Sequence, residues 1–308
     1  MGTEIIESER MKASISTKGA ELTSLIDKQK GTEHIWNADE KYWKRHAPVL
    51  FPIVGSLKEQ KYTYKGRQYK LSQHGFARDM EFETVSNNGM ELWMRLAADD
   101  ETKKNYPFDF ELNIGYRIFQ NQIIVLYKVL NNGKEDMFFS IGAHPAFLLP
   151  AAKPSDTYAC AGKAGTYNCS ILFENLKTVI CSKLTKDGLA KAEKGQIGLE
   201  EVFMDGKKYG ALKITPDLFN DDAFIVENHQ TGEVALADAD MKKVVSVKFD
   251  APLFGFWSPA GKDAPFVCIE PWYGRCDAEN FSGTLEEREY EQKLVPGGMF
   301  YKNYHICI

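Results

Sequence analysis

Runs of five to eight β-branched and aromatic residues, each closed by Asn, Asp, Gly or Pro, follow one another along the chain. This is the pattern of strands in an antiparallel protein. In the first half MKASIST (11–17), ELTSLID (21–27), EHIWNA (33–38), QKYTYKGRQYKLS (60–72), MEFETVSNNGMELWMRLAA (80–98), FELNIGYRIFQNQIIVLYKVLNNG (110–133) and DMFFSIGAHPAFL (136–148) read as strands or hairpins, with Asn-Asn-Gly turns at 87–89 and 131–133. TVICSKL, ALKITP, AFIVEN, EVALADA, VVSVKF, LFGFWSP and PFVCIEPW continue the series. Helix signals are confined to YWKRHA (42–47), before Pro48, and NFSGTLEE (280–287). About twenty short strands predict an all-β, mostly antiparallel two-sheet sandwich with few short helices. No linker, internal repeat or low-complexity tract divides the chain, so a single domain over residues 1–308 is expected, with 150–170 as a loop excursion.

Composition narrows the partners. With 44% hydrophobic residues in 308, a sizeable core is available. Lys+Arg 38 against Asp+Glu 43 leaves a net charge of −5, the wrong sign for a protein whose main partner is a phosphate backbone, so no nucleic acid is expected. No stretch approaches the roughly 20 apolar residues of a membrane span, and the acidic start MGTEIIESER lacks a signal-type apolar run, which predicts no membrane partner and a cytoplasmic location. The six cysteines form no C-x-x-C pair and read as free thiols, with Cys268 a small buried hydrophobe in PFVCIE.

Three positions carry candidate chemistry. His74 in SQHGFARD and His144 in IGAHPAF sit at strand ends beside small residues that let backbone approach a ligand; the competing reading for either is a structural histidine. Glu270 ends an apolar strand and precedes Pro-Trp, where burial would raise its pKa toward the range of a general base; a glutamate turned to solvent is the alternative. Trp272 and Tyr273 beside it suggest a sugar-stacking surface. With tryptophans at 36, 43 and 257, the set describes a carbohydrate site with acid/base capacity. Two histidines and a glutamate also form a conceivable facial metal triad, but no H-x-H or H-E-x-x-H spacing occurs, and neither metal nor cofactor is expected.

RHAPVLFPIVG (45–55), QHGFARDMEF (73–82), GAHPAF (142–147), NDDAFIVEN (220–228) and VCIEPWYGRCD (267–277), in this order, resemble the aldose 1-epimerase (galactose mutarotase) family, specifically its LacX-like branch. The resemblance implies a galactose mutarotase-like β-sandwich, or supersandwich, with the site on the concave face of the larger sheet, and metal-free interconversion of sugar anomers. Glu270 would then be the base that takes the C1 hydroxyl proton, and His144 the acid that protonates the ring oxygen. His74 would hydrogen-bond the ring oxygen or a neighbouring hydroxyl. Asp222 would hold sugar hydroxyls, with Asp221 an alternative by a one-residue slip, and Arg78 would lie near the substrate; Trp257 and Trp272 are expected to contact it as part of the aromatic surface read from the residues themselves. Where many relatives have Arg after the glycine of FPIVG this chain has Ser56, which disfavours phosphorylated sugars unless Arg45, Lys58 or Arg275 compensates. Two other readings stand beside this one. A non-catalytic carbohydrate-binding protein on the same sandwich needs no acid/base pair, and a glycoside-processing enzyme would need Asp222 as a second carboxylate. Monomer and homodimer are both compatible with exposed sheet edges.

Overall fold

A computed structural model describes residues 2–150, 168–204, 206–215 and 217–308. Cys160 and most of the 150–170 excursion lie outside these residues. Two large antiparallel sheets carry the fold. In the ten-stranded sheet the C-terminal strand Met299–Cys307 is central, pairing with Gln122–Asn131 on one side and Lys243–Phe249 on the other. The eight-stranded sheet runs Ala190–Gly198, Thr178–Leu184, Phe224–Val226, Leu253–Trp257, Phe266–Tyr273, Ile141–Ala143, Val49–Leu50, and Ala146–Leu148 adds to Phe266–Tyr273 off this path. A four-stranded N-terminal sheet, Thr3–Glu7 to Thr32–Glu33, completes the large pairings.

Alternation explains which side chains meet. Ile123, Val125, Tyr127 and Val129 of the ten-stranded sheet and Phe254, Phe256, Val267 and Ile269 of the eight-stranded sheet belong to one buried cluster, which also takes in the N-terminal sheet through Met11, Ala13 and Ile15. Residues of opposite parity point the other way. Along Phe266–Tyr273 these are Phe266, Cys268, Glu270 and Trp272, and they too are buried, because a second layer of Trp36, Tyr42, Trp43 and Trp257 covers that face. A strand buried on both faces is therefore an unbroken apolar run interrupted by one carboxylate.

Several expectations change in detail. EHIWNA pairs only at Thr32–Glu33 and through an isolated bridge from Ile35 to Phe147, because the chain crosses here from the N-terminal to the eight-stranded sheet. YWKRHA forms turns and bends, and the one α-helix among the described residues is Asp100–Asn105, started by a capping box between Asp99 and Thr102. Asn87–Gly89 does turn a hairpin, whereas Asn131 builds a corner by donating to the carbonyls of Glu135 and Leu294 at 2.7 and 2.9 Å. Ala190–Gly198 is a strand without an apolar signature, since only Ala190 is buried; an edge position and a run of Lys and Glu account for that. Among the described residues no helix is long and apolar enough to cross a membrane.

Candidate active site

Parity places the catalytic candidate first. Glu270 faces away from the main core, opposite Gly255 of the neighbouring strand, and is 1% exposed. It lies in a cavity of about 260 Å³ whose walls include His74, Arg78, His144, Asp222, Trp257, Trp272 and Trp43. Glu270, His144, His74, Asp222, Arg78, Trp257 and Trp272 thus line one cavity. Its strands belong to the eight-stranded sheet, not to the larger one as the resemblance implied: Glu270 and Trp272 point from the face of that sheet opposite the shared core.

His144 Nε2 stands 3.3 Å from Glu270 Oε2. The imidazole is held in a box of indoles, stacked on Trp43 at 4.8 Å between centroids and 28°, with Trp257 edge-on at 5.5 Å. Burial disfavours the charged form of each partner. The Glu270 carboxyl is pushed well above the usual carboxylate range by desolvation, with the Asp222 charge adding to the rise and Trp272 easing it. The His144 ring is pushed down to about 3 by desolvation, against the help of its own backbone, and Arg78 and Arg45 push it further down. Burial therefore favours the neutral form of each partner, with a proton on the carboxyl rather than the imidazolium side, and Glu270 Oε2 is buried without a hydrogen-bond partner in this arrangement.

His74 is fixed by a reciprocal contact with Gly55. Its own N–H donates to the Gly55 carbonyl at 2.9 Å, while the Gly55 N–H donates to His74 Nδ1 at 3.1 Å. With Nδ1 accepting, the neutral ring carries its proton on Nε2 and is a donor there. Burial keeps it neutral, helped by the nearby His144, Arg78 and Arg45. The backbone reaches this position through two successive left-handed residues, His74 at φ 65° and Gly75 at φ 69°. A Cβ on Gly75 would lie 2.3 Å from the Phe51 carbonyl oxygen, so only glycine lets the loop close against that strand.

Trp272 is the floor, 4% exposed, its indole N–H donating to the Ala143 carbonyl at 3.1 Å. The ring lies across two glycines on flanking strands: a Cβ on Gly142 or Gly255 would sit 2.5 or 2.6 Å from ring atoms. We expect Gly255→Ala to cost about 1–3 kcal/mol, the usual penalty of overpacking, and to lower activity with it by displacing Trp272 beneath Glu270. Urea unfolding checks the first part; an unchanged midpoint would mean that the indole has room to move.

Asp222 enters the wall at φ 74°, its carboxylate accepting from the Ala223 N–H at 2.8 Å, whereas Asp221 pairs with Lys183 at 2.7 Å outside the cavity. Arg78 donates to the Gln73 carbonyl at 2.6 Å, with its Nε buried and without a hydrogen-bond partner. The salt bridge to Asp79 belongs mainly to Arg45, at 2.9 Å, against 3.9 Å for Arg78. Tyr273 is a correction: one residue beyond Trp272 it points into the main core against Phe300, so it offers no sugar surface. Trp36 stacks on Phe266 behind the cavity wall at 4.7 Å. The cations named as substitutes for an arginine at Ser56 are all engaged elsewhere: Arg45 with Asp79, Lys58 with the Phe281 carbonyl, Arg275 with Glu227 and Glu289.

Sequence reasoning missed Gln73, Gly188 and the Gly55 N–H as parts of the site. Gln73 directly precedes His74 and could have been suspected from that; Gly188 sits in a turn with no distinguishing signal. Among the described residues, His144, Cys268 and Glu270 form the group able to hold a metal ion, their ligand atoms within 4.8 Å of one another. Cys268 rather than His74 is thus the third member, and its thiol is pushed well up by burial and by Glu270, which opposes the thiolate a metal would require.

Comparison with known proteins gives consistent results. The family model described as aldose 1-epimerase matches residues 3–278. The plasmid-encoded protein LacX of Lactococcus lactis subsp. lactis is 28% identical over 312 residues, covering 98% of each chain. A galactose mutarotase related enzyme from Lactobacillus acidophilus superposes with a TM-score of 0.87 at 32% identity, covering 99% of this chain and 97% of that one. A galactose mutarotase-like protein from Lactobacillus casei gives 0.87 at 26%, covering 99% of both.

Proposed function

Since the chain belongs to the aldose 1-epimerase family, we propose that this cavity interconverts the α and β anomers of a neutral aldose by opening its ring between C1 and O5. The observation that carries the reading is the buried Glu270–His144 pair at 3.3 Å, an acid and a base in contact in a cavity that also contains aromatic rings. Ring opening takes a proton from O1 and gives one to O5, so it needs both groups at once.

The proton moves across the 3.3 Å contact from Glu270 to His144, and the sugar binds with O1 facing Glu270 and O5 facing His144. Glu270 then takes the O1 proton as the C1=O1 double bond forms, the C1–O5 electron pair leaves to O5, and the imidazolium delivers its proton there. This step discharges an ion pair: carboxylate and imidazolium become carboxylic acid and imidazole. That neutral state is the one burial favours for both residues, so the step returns the cost of forming the ion pair from the resting neutral pair. Rotation about C1–C2 and reclosure, with the two roles reversed, gives the other anomer. His74, a donor through Nε2, supports the ring oxygen as charge develops on it. Asp222 accepts from sugar hydroxyls, and Trp257 and Trp272 present apolar faces to the C–H side of the ring.

The test is one-dimensional proton NMR of the anomeric signals of freshly dissolved α-glucose, α-galactose and α-xylose, with EDTA-treated protein. Faster approach to anomeric equilibrium for at least one sugar is expected. Sugar binding without acceleration would instead establish a carbohydrate-binding protein.

A further inference from the structure

His74 takes its tautomer from the Gly55 peptide, so whatever fixes Gly55 also fixes the donor at Nε2. The segment that follows Gly55 is clasped by a buried carboxylate outside the cavity. Asp277 donates its N–H to the Ser56 carbonyl at 3.0 Å and accepts the Lys58 N–H on Oδ2 at 2.9 Å. We propose, resting on the epimerase reading, that Asp277 is a positioning residue for His74, held in turn by Arg288, and that this pair keeps the His74 proton on Nε2.

Arg288 is buried with it and uses its guanidinium as a bracket. Nε donates to Asp277 Oδ1 at 2.7 Å and Nη2 to the Arg275 carbonyl at 2.7 Å, which closes a loop around Cys276. Nη1 anchors the bracket on Glu291 Oε2 at 2.7 Å and Ser140 Oγ at 3.3 Å. Cys276 is the residue packed on Gly55: a Cβ added to Gly55, whose φ is 71°, would stand 2.6 Å from Cys276 Cβ and 2.8 Å from its nitrogen. Gly55 therefore touches the bracketed loop as well as the imidazole. The Asp277 carbonyl also accepts from the Ala190 N–H at 2.9 Å, two residues past Gly188 in the cavity wall. Each carboxylate oxygen thus has its own donor, an arrangement that the single oxygen of an amide cannot reproduce.

The kinetic consequence has a definite form. His74 supports charge that develops on O5 only as the ring opens, so a loosened Gly55 weakens the transition state more than the bound sugar. kcat falls and KM holds.

The experiment compares the wild type with Asp277→Asn, Lys58→Pro and Lys58→Ala. Proline removes the Lys58 N–H at the first position of the 3₁₀ turn Lys58–Gln60, where Leu57 is already extended at ψ 147°, and leaves the Asp277–Arg288 pair whole should the asparagine variant fail to fold. Alanine keeps that N–H and loses only the Nζ contact with the Phe281 carbonyl, which proline loses too. Ring-¹⁵N-labelled histidines are observed by NMR without substrate, His74 being assigned by its absence from His74→Gln, and kcat and KM are measured for α-galactose. The wild type and Lys58→Ala should show one bare and one protonated nitrogen on His74. In Asp277→Asn and Lys58→Pro the two resonances should move toward each other as the tautomers mix, with kcat lower by about three- to tenfold and KM little changed. A His74 that keeps the wild-type tautomer in folded Asp277→Asn and Lys58→Pro would overturn the assignment even if kcat falls, since lost activity alone is what a merely structural residue gives. Mixed tautomers with kcat unchanged would overturn it as well. A wild type that accelerates no sugar would remove the epimerase reading, and the His74 resonances would still decide whether Asp277 sets the tautomer.

Discussion

Glu270→Gln is expected to lower kcat for anomer interconversion by about 10²–10⁴-fold, the range for loss of a positioned acid/base group, while leaving sugar affinity largely intact. The amide keeps the shape of the carboxyl and its contacts beside Trp272 but has no basicity. The same variant carries a stability signature with a definite sign. Glu270 is buried and its carboxyl is held well above the ordinary value of 4.5. A raised folded-state pKa contributes stability that is complete below the unfolded value and lost as pH rises through the folded one. The wild type therefore loses stability from about pH 4.5 upward to the folded-state pKa, and the glutamine variant does not. Thermal melts of both proteins between pH 4 and 9 should diverge with rising pH, the variant being the more stable at the alkaline end. A slow but equally stable variant would place Glu270 in the chemistry without the burial cost; a variant with full activity would remove it from the mechanism.

His144→Gln is expected to lower kcat over the same range of about 10²–10⁴-fold, because ring opening then lacks the proton for O5. The more telling result is the double variant. Glu270 and His144 act together in one step, so removing the second group after the first should cost little more than removing either alone. Rates that multiply, each substitution contributing its full factor, would mean that the two side chains work on separate steps. Loss of the stacking contact with Trp43 should appear separately, as a lowered melting temperature in both the single and the double variant.

Much of this site follows from parity along a few strands. In PFVCIEPWY the even positions 266, 268, 270 and 272 share one face, and an apolar strand that still contains a glutamate must put that glutamate somewhere protected. The same rule removes Tyr273, which adjacency to Trp272 made attractive and alternation turns into the core. His74 and His144 were legible from the glycine and proline that follow them, yet their roles were not: the donor at Nε2 of His74 depends on the Gly55 N–H, a contact across nineteen residues of chain. The choice between Asp221 and Asp222 rests on a left-handed backbone at 222 that no local signal announces. The turn containing Gly188 and the polar edge strand Ala190–Gly198 are equally silent, because their positions depend on pairing with Thr178–Leu184 and not on burial of their own side chains. What joins these pieces is long-range pairing, down to the C-terminal strand at the centre of the ten-stranded sheet.

The central claim, a neutral buried pair that works by passing one proton, is tested most directly by the pH dependence of kcat/KM for α-galactose, followed by polarimetry. The free pair is active with one proton and inactive with two or none. A second proton would have to go to His144, held down to about 3, so activity should stay level from pH 7 down to about 4.5. Loss of the only proton occurs through the raised Glu270 carboxyl, so activity should fall on the alkaline side. A level acid limb with an alkaline fall is the predicted result; an acid fall through the ordinary histidine value of 6.5, or no catalysis at any pH, would contradict it.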